Sequence, residues 1–169
     1  MSVSALLLST TLALGAPKTP YAPYEFLFGE WDVAPASGPA LGVARFRLAS
    51  DGGYIWHSMS LLENGAEKPH YEGMLVWNGV HRNLDMLISV EGGLEEQGTV
   101  SVQADGTVVR EITAYAAAGE PRTPAHFRQT FQASAGGRVL TTVMRQTPNG
   151  WVPTFPGSDR LFMTRRAAV

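Results

Sequence analysis

From Glu30 onward the chain alternates apolar and polar side chains in short runs, each closed by turn residues. A period of two is that of a strand with one buried face. In the run 40–49, Ala44, Phe46 and Leu48 share one face and Val43, Arg45 and Arg47 the other. In 84–90, Leu84, Met86, Ile88 and Val90 oppose Asp85, Leu87 and Ser89. In 125–133, Phe127, Gln129 and Phe131 oppose His126, Arg128 and Thr130. Further runs lie at 30–33, 54–62, 71–78, 98–103, 107–116, 139–146, 151–155 and 160–166. Asp51-Gly52-Gly53, Asn64-Gly65, Asn78-Gly79, Gly92-Gly93, Asp105-Gly106, Gly136-Gly137 and Asn149-Gly150 supply turns. No helical period follows Gly29. The pattern predicts an all-β chain of ten or eleven strands. So many sequential strands would leave two open edges if flat, and closure into an antiparallel up-and-down barrel removes them.

Ahead of the strands, Tyr24, Phe26, Leu27 and Phe28 suit one helical turn on an apolar surface, ended by Gly29. This turn is expected to close one barrel end, with the barrel domain over 24–169. Pro17, Pro20 and Pro23 make 17–23 an extended linker. The apolar stretch from Ser4 to Ala16 is too short to anchor in a bilayer. It fits a secretory signal over 1–16, with Ala13 and Gly15 as small residues for cleavage, although no Lys or Arg precedes it. Export to a periplasm or the exterior is the expectation, and an ordinary first element of the fold is the alternative.

Composition narrows the function. The 169 residues suffice for one domain with a core, and 17% charged against 44% hydrophobic marks a globular chain. A formal charge of -2 without a Lys/Arg run argues against nucleic acid as a partner. With no cysteine there is no disulfide, thiolate nucleophile or Cys-based zinc site. His57, His70, His81 and His126 lack metal-ligand spacing, so no metal is expected. His57 and His126 fall inside strands, where one can face the interior. There is no nucleophile elbow, and the paired glycines precede no helix that would bind phosphate. The carboxylates Asp85, Glu95 and Glu96 read as solvated strand ends.

Gly29-Glu30-Trp31, set after a short helical turn and before a strand meander that ends in Arg, is similar to the calycin superfamily. That group comprises lipocalins, fatty-acid-binding proteins and lipocalin-like bacterial proteins of unknown function. The resemblance implies a barrel floor closed by Trp31, with Arg165 across its ring and Arg160 or Arg166 as alternates. Missing lipocalin disulfides point toward the bacterial lipocalin-like branch. The nitrobindin-like relatives hold haem through a late His. The last here is His126, so haem is set aside and no cofactor is expected.

The resulting reading is a non-catalytic barrel for a small apolar or amphiphilic ligand, with no nucleic acid and no transmembrane anchor. Trp56, Met59, Met74, Trp77, Met86 and Phe127 are candidate walls. If the His126/Arg128 face points inward, Arg128 with Tyr115 can receive a carboxylate; a one-residue shift exchanges the faces. One alternative is a filled exported barrel acting through protein contacts at Trp151 and Phe155. An enzyme built in the barrel mouth is the third reading.

Overall fold

The computed structural model describes residues 19–116 and 123–167; the expected signal at 1–16 lies outside them. Eleven strands follow a 3-10 helix at Ala22–Leu27: β1 (Gly29–Pro35), β2 (Gly42–Leu48), β3 (Tyr54–Glu63), β4 (Ala66–Asn78), β5 (Asn83–Val90), β6 (Leu94–Val102), β7 (Val108–Tyr115), β8 (Ala125–Ser134), β9 (Arg138–Thr147), β10 (Gly150–Pro153) and β11 (Leu161–Arg165). Neighbours from β1 to β8 pair antiparallel in chain order, β8 pairs with β9, and β11 returns to β1. The sheet thus closes. β10 takes Met144 to Thr147 of β9, while β11 takes Val139 to Thr141, so two short strands share one edge and the barrel has ten staves.

β4 and β6 run longer than the alternation predicts. Pro69 interrupts the pattern of β4, but it sits at a bulge opposite Ser60, where a missing N–H costs little. Glu67, beyond that bulge, pairs with Arg45 and Arg166, which ties the β3–β4 hairpin to the neighbouring wall.

The inner face carries Val33, Phe46, Ile55, Leu75, Leu84, Ile88, Val100, Val108, Phe131 and Met163, all buried. Gly98 belongs to this face. A Cβ there would collide with the carbonyl oxygen of Glu111, because the β7 backbone approaches β6 closely at this position. Gly98→Ala is expected to cost about 1–3 kcal/mol by urea unfolding, as overpacking does; an unchanged midpoint would refute the close approach.

One barrel end is plugged. The buried segment begins at Tyr21, three residues before the turn that the sequence predicts. Tyr21 donates to Gly53 O (2.5 Å) and accepts from Trp77 N; Tyr24 donates to Val100 O (3.2 Å). Burial pushes the Tyr24 hydroxyl up to about 12. Trp31 donates its indole N–H to Leu27 O at 2.7 Å and is 1% exposed. The Arg165 guanidinium lies 4.5 Å from its ring centre. Gly29, at φ 125°, leaves the space that this guanidinium occupies.

Candidate functional site

Midway along the barrel the apolar lining gives way to a polar cluster. Arg110 projects inward from β7 and is 1% exposed. Its Nη1 donates to Gln129 Oε1 (2.8 Å) and to His57 Nδ1 (3.3 Å). Its Nε and Nη2 both donate to the Met86 sulfur, at 3.3 and 3.0 Å. Gln129 in turn donates to Thr141 Oγ1 (3.4 Å). The nearest carboxylate, Glu96, stands 3.9 Å from Nη2 and is partly solvated. A thioether is a weak acceptor. Two donors of a buried cation are therefore spent on a poor partner, and its counter-charge is loose.

His57 stacks on Phe46, ring centres 4.0 Å apart, and is fully buried. Because Nδ1 accepts from Arg110, the ring proton sits on Nε2 and faces the Tyr71 oxygen at 3.4 Å. Tyr71 keeps its own O–H uncommitted among the described residues. The Arg110 guanidinium lies 5.9 Å from the Tyr71 ring centre, so the two groups share one region of the interior. There the inner face continues through Met59, Ile112, Phe127 and Val143.

Burial, then the neighbouring Arg110 charge, holds the His57 imidazole well below its usual value of 6.5. Burial raises the Tyr71 hydroxyl above 10, partly opposed by Arg110. Both groups are neutral in the fold. As pH falls below about 6.5 the unfolded chain binds a proton that folded His57 refuses, so stability drops. As pH rises above about 10 the unfolded chain releases a proton that Tyr71 retains, and stability drops again. The joint contribution is complete between those limits. Below the lower one the expected slope for His57 is up to about 1.4 kcal/mol per pH unit. NMR titration of the imidazole checks it, and protonation of folded His57 near pH 6.5 would contradict it.

The expected wall residues separate. Met59, Met86 and Phe127 face inward. Trp77 lies at the plugged end beside a groove of about 710 Å³ that Pro23, Glu25 and Arg82 also line. Trp56, Met74 and Tyr115 lie on the outer wall, where Met74 is 37% and Tyr115 40% exposed. Arg128 is also outside, bonded to Glu111 (2.7 Å) and lying over Trp151. The inward face of β8 is therefore Phe127, Gln129 and Phe131, and no pairing of Arg128 with Tyr115 faces the interior. His126 is exposed on the same outer wall and bonds to Thr113.

Sequence reading missed Arg110, His57, Tyr71 and Gln129 as a unit. Arg110 carries one available signal: Val108 and Ile112 flank it at period two. Directly under the plug the remaining void is about 10 Å³, bounded by Leu27, Phe46, Val108, Arg110 and Phe131. That is about the volume that one water needs.

Among the described residues no group of acidic or His side chains is arranged to hold a metal, and no helix is long and apolar enough to cross a membrane. No family model matches the chain, and no curated protein is significantly similar to it.

Proposed function

We propose that this is an exported, lipocalin-like, non-catalytic barrel that binds a small amphiphile with an anionic head. The single observation that carries the reading is Arg110, a buried guanidinium with two donors on a thioether. A carboxylate would replace the Met86 sulfur with a charge-assisted acceptor, and such bonds are roughly twice as strong as neutral ones. Methionine has three rotatable bonds and moves aside at small cost. Tyr71 donates a further bond to the head. The apolar tail extends from there between Met59, Ile112, Phe127 and Val143, away from the plug. The apolar run 4–16 supports export.

The test is displacement of a fluorescent fatty-acid probe by three competitors of equal chain length: a carboxylate, an alcohol and an amine. The carboxylate is expected to displace most strongly and the amine least. Equal displacement by all three would refute the anionic head.

The void of about 10 Å³ beneath the plug favours a second reading, a filled barrel that acts through protein contacts. Native mass spectrometry separates them. Retention of the carboxylate at one per chain supports the binder, and a bare chain across the whole panel supports the filled barrel.

A further inference from the structure

The polar cluster inside the barrel carries both signs of charge. Glu96 lies on the inward face of β6, with Ile88 and Ala114 as register partners and Gly98 and Val100 next along that face. Its side chain is 20% exposed, against 1% for Arg110, and its Oε2 stands 3.9 Å from Arg110 Nη2. That gap is an ion pair without a hydrogen bond, since a charge-assisted N–H···O contact closes to about 2.7–2.9 Å. Burial raises the Tyr71 hydroxyl, the Arg110 charge opposes this and the Glu96 charge adds to it, so Tyr71 lies in the field of both.

The pair restricts the head group that the barrel can accept. A carboxylate that takes the Nη2 donor from Met86 is held within about 7 Å of the Glu96 oxygen, which stands beside the same nitrogen. Two like charges repel strongly in a site of low dielectric. A head that also brings a donor offsets that repulsion, because an ionised Glu96 only accepts. An ammonium is one such donor, but it takes a further cation out of water. A hydroxyl donates without that penalty.

We propose that the ligand is a hydroxycarboxylate amphiphile, whose carboxylate binds Arg110 while a hydroxyl beside it donates to Glu96. The inference rests on the anionic-head reading above and makes Glu96 the residue that selects the head. The head bridges two charged groups that do not reach each other unaided. A site built around a ligand hydroxyl rejects the analogue that lacks it, because its own polar group is then left unpaired.

Displacement of a fluorescent fatty-acid probe by myristate, α-hydroxymyristate and β-hydroxymyristate tests this, in wild type and in Glu96→Gln. One of the hydroxy acids is expected to displace from wild type about tenfold more strongly than myristate, the worth of a hydrogen bond to a charged acceptor. Glu96→Gln should bind myristate more tightly, since the like charge is gone, and should lose most of the preference for the hydroxyl. The wild-type comparison holds whether or not the variant folds. Equal displacement from wild type by all three overturns the inference and leaves the anionic head standing. A hydroxyl preference that folded Glu96→Gln keeps in full overturns the role of Glu96. Stronger displacement by α-aminomyristate than by either hydroxy acid overturns the hydroxyl in favour of an ammonium. Failure of every carboxylate to displace the probe removes the anionic-head reading itself, and this inference with it.

Discussion

Arg110→Met is expected to weaken binding of a carboxylate-headed amphiphile about 100-fold, the usual loss when one partner of a buried charge pair is truncated. It should do so with stability held within about 2 kcal/mol of wild type. Burial of a guanidinium carries a desolvation penalty of several kcal/mol. Here that penalty is offset by an amide, a neutral imidazole, a thioether, the Tyr71 ring 5.9 Å away and a carboxylate 3.9 Å away. Methionine fills similar volume without charge. Gln129 and His57 each lose a bond worth about 1 kcal/mol, and relief of the desolvation penalty compensates. A small net benefit of Arg110 to the fold would support the proposed anionic ligand. Arg110→Lys retains the charge but loses the fork, so its affinity should fall between the two. Titration calorimetry and thermal melts read both quantities. Intact affinity in Arg110→Met, or its collapse to an unfolded chain, would sink the assignment.

Trp31→Ala is expected to cost roughly 3–5 kcal/mol, the range for truncating a large buried aromatic. For a chain of this size that lowers the melting temperature by about 6–20 °C, at about 2–4 °C per kcal/mol. Three contributions are lost together. The indole is 1% exposed, so its removal leaves a cavity. Its N–H satisfies the Leu27 carbonyl at the end of the plug. Its ring receives Arg165, a contact worth about 0.5–2 kcal/mol. Trp31→Phe keeps the ring and loses the hydrogen bond, and should recover about half of the loss. Urea unfolding of both variants measures this, and an unchanged Trp31→Ala midpoint would contradict the placement.

The two sites differ in how far they could be read from the sequence. Trp31 sits in a distinctive local arrangement: an aromatic turn, a glycine, then the first strand. Its partner Arg165 is at the far end of the chain, yet closure must bring the last strand beside the first. The Arg110 cluster had no such local signature. Its members lie on β3, β4, β7 and β8, separated by as many as 72 residues, and only the closed sheet turns them to one point. Apolar character misdirects here as well. In β3, Trp56 is the more hydrophobic neighbour of His57, but Ile55 and Met59 share the face of His57 and carry it inward. Trp56 then turns outward beside Met74 and Leu87.

The strand count to within one, the turns, the N-terminal plug and the place of Trp31 are legible in the chain alone, because alternation and glycine-rich turns are local properties. Tertiary structure decided which face of each strand is inside. Alternation has a period of two and is blind to a one-residue shift, so only the register across closed strands could place Arg110 within the barrel and Arg128 on its surface.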